Sequence, residues 1–208
     1  MTPPRRPIVN LYCDFDGTLS PLPAKTTQQE QHAIDCHLQP KSIADCYTLD
    51  RQRPNLLNMQ WSSELIALMR DLIKHRFVRW HWLTSNTAWT DVFDGMFDFD
   101  SNLTTTEELL TCHNGHVSMA PGGKAGIIRR SIHASARTPE HRAIAWLDDD
   151  YWPGQPDVDR IDQLAKDLQV PVLLITPDAT VGVTRTQTYQ LIKFILMQQK
   201  PIGLTAIS

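Results

Sequence analysis

Little in this chain of 208 residues is present in excess. Cysteine is scarce: Cys13, Cys36, Cys46 and Cys112 are too few and too unpatterned for a disulfide framework. A cytoplasmic setting is the expectation that follows. No apolar run approaches the roughly 20 residues that a membrane span needs. With a net charge of −3 there is no global basic field to recruit nucleic acid, which leaves only a local patch for that purpose. Residues 1–7 hold two arginines but no signal-type apolar stretch, and are expected to form a loose tail. Internal repeats and low-complexity tracts are absent. The remainder, 41% hydrophobic and 21% charged, is composed like a soluble globular protein, so one α/β domain over residues 1–208 is expected.

Periodicity supplies the elements. Ile8 to Cys13 is a short apolar run of the kind that forms a buried parallel strand. Ser62 to Arg76 carries Leu65, Ile66, Leu68, Met69, Leu72 and Ile73 at helical spacing. Phe77 to Leu83 reads as a second strand, and Asn86 or Thr87 is placed to cap a helix through Phe97. Thr105 and Glu108 match a capping box for a further short helix. After the break at Pro121-Gly122-Gly123, Lys124 to Arg137 is helical and Ala143 to Leu147 is a strand. An amphipathic helix around Val158, Ile161, Leu164 and Leu168 precedes a strand at Val172–Ile175. Thr184 and Gln187, a second capping-box match, open a last helix to about Met197. Strands that alternate with helices imply βαβ units and a mostly parallel sheet with helices on both faces, a three-layer Rossmann-like domain.

The chemistry is concentrated at strand ends. Leu11-Tyr12-Cys13-Asp14-Phe15-Asp16-Gly17-Thr18-Leu19 runs from the first strand directly into two aspartates and a turn. Open α/β sheets bind ligands at the carboxyl ends of their strands. Two acids so close repel each other unless a cation is near or one keeps its proton. A second acid pair, Asp148-Asp149, follows Ala145-Trp146-Leu147. Mg²⁺, a hard cation that takes oxygen ligands, gives both pairs a reason. Leu83-Thr84 ends the second strand on a hydroxyl, and Lys124 opens a helix upstream of the second acid pair.

The pattern Asp-x-Asp-Gly-Thr after an apolar run, followed in order by Thr84, Lys124 and Asp148-Asp149, resembles the haloacid dehalogenase (HAD) superfamily of phosphohydrolases. The resemblance implies a HAD-like domain and Mg²⁺-dependent phosphohydrolysis through an aspartyl phosphate. Asp14 would be the nucleophile and Asp16 the general acid and base. Thr84 and Lys124 would hold the phosphoryl oxygens. Asp14, Asp16 (through its backbone carbonyl), Asp148 and Asp149 would serve the metal. Gly17, Thr18, Ser85 and Asn86 are assigned to substrate binding on the same grounds. The second aspartate favours phosphoryl chemistry over carbon–halogen cleavage, while phosphomutases share it. Trp82-Leu83-Thr84, Lys124, Trp146-Leu147-Asp148-Asp149 and Gly182-Val183-Thr184 further resemble the small HAD domains of "Swiss army knife" RNA repair proteins. A nucleotide or a polynucleotide end is the substrate that this closer resemblance implies. The alternatives are a non-catalytic nucleic-acid or protein binding module, and a phosphotransferase or mutase.

Residues 20–60, rich in Pro, Gln, Thr and Asn, match no such element and read as a small insertion or flap after the first strand. His32, Cys36, His37 and Cys46 fall within it, but without a Cys-x-x-Cys spacing they make a poor zinc set. Of the six tryptophans, Trp80, Trp82 and Trp146 belong to strands and are expected in the core, whereas Trp61, Trp89 and Trp152 could line a site. Arg129, Arg130, Arg137 and Arg142 offer either a phosphate-binding patch or an ordinary solvated helix face.

Overall fold

Strand β1 (Ile8–Cys13) is the axis of the molecule, hydrogen-bonded in parallel to β2 (Val78–Trp82) on one side and to β6 (His141–Leu147) on the other. The structure, a computed structural model, describes residues 7–22, 45–49, 59–113, 116–138, 141–150 and 156–199. Most of the predicted insertion at 20–60, with His32, Cys36 and His37, lies outside them, as do Trp152 and the start of the predicted tail. The other elements are α1 (Ser63–Ile73), α2 (Thr90–Phe97), β3 (Thr104–Thr106), β4 (Leu110–His113), β5 (His116–Met119), α3 (Gly123–Arg137), α4 (Pro156–Asp167), β7 (Val172–Ile175) and α5 (Arg185–Gln198). The main sheet has the order β3-β2-β1-β6-β7 and is parallel throughout; β4 and β5 form a separate antiparallel hairpin.

Side chains of β1 and β6 alternate between the two faces, as strand geometry requires. Val9, Leu11, Cys13, Ala143, Ala145 and Leu147 enter one core with α1, α2 and α5. Tyr12, Ile144 and Trp146 enter another with α3 and α4. This is the expected three-layer arrangement. The first core is rich in aromatics: Phe15 stacks on Phe93 at 4.0 Å, Trp82 stacks on Phe99 at 5.8 Å, and Trp61 meets Phe97 edge-on at 5.1 Å. Each fully buried side chain of this size stabilises the fold by about 1.5–3 kcal/mol relative to exposure. Trp80, Trp82 and Trp146 are core residues as expected, and Cys13 is a buried free thiol.

Caps fix the helices. The Ser62 hydroxyl accepts from the Leu65 N–H at the start of α1. At the start of α5 the Thr184 hydroxyl accepts from Gln187 N–H, and the Gln187 carboxamide returns the bond to Thr184 N–H, completing the expected capping box.

Three expectations are corrected. Thr105 and Glu108 do not open a helix. Thr104–Thr106 is an edge strand, because β-branched threonines suit extended backbone and each hydroxyl finds a tertiary partner. Thr104 donates to Asp94 at 2.5 Å, Thr105 to the Trp80 carbonyl at 3.3 Å, and Thr106 to Thr90 at 2.9 Å. The segment after β2 begins with a 3₁₀ turn, Thr87–Trp89, and neither Asn86 nor Thr87 caps it through a side chain, since the Asn86 amide is engaged elsewhere. Trp61 does not line a site; it is buried against Phe97.

Candidate active site

The register brings β1, β2 and β6 to one edge. Cys13 pairs with both Trp82 and Leu147, so Asp14, Leu83-Thr84 and Asp148 all follow at the carboxyl end of the sheet. The ladder continues past the strands: Asp14 N–H donates to the Leu147 carbonyl at 2.9 Å, Leu83 N–H to the Cys13 carbonyl at 2.9 Å, and Asp148 N–H to the Ile175 carbonyl at 3.1 Å. Residues far apart in sequence are thereby fixed by backbone bonds, not by side-chain chance.

The loop after Asp14 closes tightly. The N–H groups of Leu19 and Ser20 both donate to the Phe15 carbonyl, and Gly17 N–H to that of Ser20. Gly17 has φ +69°, a conformation that disfavours other L residues, and a methyl group in place of its hydrogen would collide with the Asp149 carboxylate. A second turn locks this loop from the far end of the chain. Val183 N–H donates to the Thr18 carbonyl at 2.9 Å, and Gly182, at φ +73°, lies so close that a Cβ there would stand 2.8 Å from the same oxygen.

Lys124 joins the two acid pairs. From the first turn of α3 its ammonium reaches Asp14 Oδ2 at 2.5 Å and Asp148 Oδ2 at 2.9 Å, with Asp150 at 3.9 Å. Asp148, 1% exposed, also accepts from the Trp146 indole N–H at 3.1 Å and from Asp150 N–H at 3.1 Å. Asp149 accepts from the Thr18 hydroxyl at 3.4 Å. Asp16 is half-buried and accepts from the Asn86 side-chain amide. Thr84 is wholly buried, and its Oγ1 accepts from Asn86 N–H at 3.2 Å. Ser85 is exposed and lines a cleft of about 330 Å³ above Lys124 and Asp148, walled by Leu109, Leu110 and Met119 on the hairpin side and by Trp146 and Val158 opposite.

Charge is crowded here. Burial pushes the Asp148 carboxyl up to about 7, with Asp14 adding to the rise and Lys124 opposing it. Burial, then the Asp150 and Asp14 charges, pushes Asp149 up to about 6. Asp16 is raised by burial and by Asp14, against the Asn86 hydrogen bond. Burial works against the Lys124 charge, but Asp14 and Asp148 outweigh it and hold the ammonium well above its ordinary range. Such a set favours further positive charge. Asp14, Asp148 and Asp149 each offer a carboxylate oxygen, all within 4.8 Å of one another. Three hard oxygen donors held this close together fit a divalent cation such as Mg²⁺.

Every predicted site residue thus falls at this edge or in the two loops beside it. Sequence reasoning missed the Trp146 indole, although its spacing of two from Asp148 signals a shared face. It also did not foresee that the Asn86 side-chain amide donates to Asp16. Of the arginines that offer either a phosphate-binding patch or a solvated helix face, Arg129 pairs with Asp157, Arg130 donates to the Pro121 carbonyl at 3.2 Å, and the Arg142 side chain lies outside the described residues.

A parallel five-stranded sheet between two helical layers, with acids at the carboxyl ends of its central strands, defines a HAD-like fold. The HAD domain of effector protein Lem4 from Legionella pneumophila is similar to it, with a TM-score of 0.54 over 94% of this chain and 97% of that one, at 12% identity. Effector Ceg4 of the same bacterium is similar at a TM-score of 0.51 over 97% of this chain and 98% of that one, at 14% identity. No protein-family model and no curated protein matches the sequence. Among the described residues no helix is long and apolar enough to cross a membrane.

Proposed function

We propose that the chain is a Mg²⁺-dependent phosphohydrolase working through an aspartyl phosphate. The observation that carries this reading is Lys124 held between Asp14 and Asp148, beside a second aspartate on its own hydrogen-bonded arm. An Asp14 carboxylate oxygen attacks phosphorus as the ester bond to the leaving oxygen breaks. Asp16, protonated, gives its proton to that oxygen. It then takes a proton from the water that attacks the aspartyl phosphate, which releases inorganic phosphate and restores Asp14. The raised proton affinity of Asp16 suits both steps. Asn86 holds the Asp16 carboxyl in place through its side chain and braces Thr84 through its backbone. Lys124 neutralises charge on the nucleophile and on the phosphoryl group. The carboxylates of Asp14, Asp148 and Asp149 and the Asp16 backbone carbonyl would hold Mg²⁺, whose contribution is charge neutralisation at the phosphoryl oxygens. Gly17, Thr18, Ser85 and Asn86 border the position of the substrate.

The cleft beside the acids is small and carries Asp150 and Asp157 at its lining, so small phosphomonoesters, nucleotides among them, suit it better than a long polyanion. A polynucleotide end, the substrate implied by the likeness to RNA repair domains, is the second class to try. The test is a panel of aryl phosphates, nucleotides and 5′- or 3′-phosphorylated oligonucleotides, with Mg²⁺ and with chelator. Phosphate release that needs both Mg²⁺ and Asp14 is expected. Folded protein that turns over nothing on the panel, yet binds nucleic acid equally well after Asp14→Asn, would overturn the reading in favour of a binding module. Transfer of phosphate to an added alcohol in preference to water would identify a phosphotransferase.

A further inference from the structure

Asn10 and Tyr12 are alternate residues of β1 and share a face, and Asp14 follows in the same alternation just past the strand end. Only Asp14 belongs to the site described above. A central strand in a parallel sheet is ordinarily apolar on both faces. Asn10, 6% exposed, is therefore an anomaly, because a buried amide is costly unless it is paired. One half of it is paired: its Oδ1 lies 3.3 Å from Nε2 of His81. The His81 ring stacks on Tyr12 at 4.5 Å, and its Nδ1 faces Thr105 Oγ1 at 2.6 Å and Glu107 Oε1 at 3.2 Å.

Between this group and α3 lies a cavity of about 380 Å³, lined by Asn10, Tyr12, Glu107, Arg130, Ser131 and Ser135 among others. It shares no lining residue with the cleft above Lys124. Ser135 is 11 positions beyond Lys124 on α3, about 16 Å along the axis at 1.5 Å per residue. The cavity thus lies behind the acid site, not in it.

Its wall carries several donors that are not fully engaged. Tyr12, whose phenol burial pushes up to about 12 and so keeps protonated, donates its hydroxyl to Ser131 Oγ at 2.7 Å. The Ser131 proton is then left for another acceptor, and none takes it among the described residues. Ser135, 4% exposed, lines the cavity and its hydroxyl has no hydrogen-bond partner among the described residues. The same holds of the Asn10 amide nitrogen among the described residues. At the rim, Arg130 engages the Pro121 carbonyl with one nitrogen only. The one carboxylate, Glu107, faces His81. The Asn10 amide nitrogen and the spare Arg130 nitrogens can only donate, and the Ser131 and Ser135 hydroxyls can turn their protons the same way, so an anionic oxygen complements this part of the wall.

We propose that this cavity is a second ligand site, which binds a small oxyanion, a carboxylate or phosphate group, through Asn10, Ser131 and Ser135 with Arg130 at its mouth. The volume admits a small organic anion and excludes a macromolecule. The proposal does not depend on the hydrolytic reading. Full-length protein, with chelator present, is titrated with malonate, inorganic phosphate and the neutral analogue malonamide. Binding is followed by the thermal midpoint and by the Asn10 side-chain amide resonance. Saturable binding of malonate, phosphate or both is expected, with no response to malonamide, and the anion that binds identifies the occupant. The double variant Arg130→Gln/Ser135→Ala should weaken that binding at least ten-fold. Ser135→Ala alone, which raises helix propensity and so leaves α3 intact, should weaken it about three-fold. Absence of saturable binding by either anion overturns the proposal. So does equal binding by malonamide, or binding unchanged in both variants; phosphate binding that both variants retain belongs to the acid site.

Discussion

The two faces of the β-sheet differ in kind. Against α1, α2 and α5 it buries Phe15, Trp61, Trp80, Trp82, Phe93, Phe97 and Phe99, a dry aromatic core. Against α3 it buries Asn10 and Tyr12 from the same strand that gives Val9, Leu11 and Cys13 to the aromatic side, with Asp14 just past the strand end, beside the apolar Ile128, Ile132, Ile144 and Trp146. Both faces have an apolar core, but the α3 side also holds the acid cluster, compensated only in part by Lys124, and the polar cavity. The division rests on the period of two in β1, so a one-residue slip in its register would exchange the two roles.

The comparison can be tested from its sharpest contrast downward. Asp14→Asn on the polar face should lower phosphomonoester turnover by on the order of 10³-fold or more, the scale on which a lost nucleophile reads. The same change removes a negative charge from a crowded site, so the thermal midpoint should hold or rise; a substantial fall would mean that Asp14 is structural. Phe93→Ala on the aromatic face should do the reverse. It should cost about 3–5 kcal/mol in urea unfolding, while divalent-cation affinity of the folded fraction is retained. A cost below about 1 kcal/mol would show that the aromatic face is not a source of cohesion.

The pH dependence probes the polar face alone. The folded-state values of Asp148 (about 7) and Asp149 (about 6) exceed the ordinary 3.8. Between pH about 4 and about 7 the folded chain therefore binds more protons than the unfolded one. Metal-free protein should lose stability as pH rises through that window, with a higher midpoint at pH about 5 than at about 7.5. Mg²⁺ should shrink or reverse the difference, and Asp148→Asn should reduce it. A metal-free midpoint that climbs from pH 5 to 7.5 would contradict the assignment. Smallest of all, Thr184→Ala should remove the α5 capping box at about 1 kcal/mol, with turnover unaltered unless the Gly182-Val183 turn lets go of Thr18.

Much of this was legible from the residues. Apolar runs that stop at Asp14 and Asp148 marked strand ends, where open α/β sheets gather their ligand-binding groups. The Thr184–Gln187 box and the strand at Val172–Ile175 were equally plain, being set by local chemistry. What failed depended on partners distant in sequence. Thr104–Thr106 looked like a cap because its role is fixed by Asp94, Trp80 and Thr90, which no local window contains. The β4–β5 hairpin that walls the cleft gave no pattern, since its four-residue strands are too short for alternation to register. Asn10 and Tyr12 were absorbed into an apolar run, where two polar groups among six residues read as noise until His81 stood beside them.

The pairing of β1 with β6 bears on how the protein is made. Residues 8–13 occupy the middle of the sheet, yet their partner at 141–147 is synthesised long after them. Until that segment leaves the ribosome, the first strand has an unpaired edge, and Asp14 lacks the Leu147 carbonyl that fixes its backbone. Ordering such distant pairs is slow, and the open edge invites wrong pairing in the interval. The nascent chain thus carries its acidic cluster in a disassembled form, and Asp14 and Asp148 are brought together only after residues 141–147 have been made.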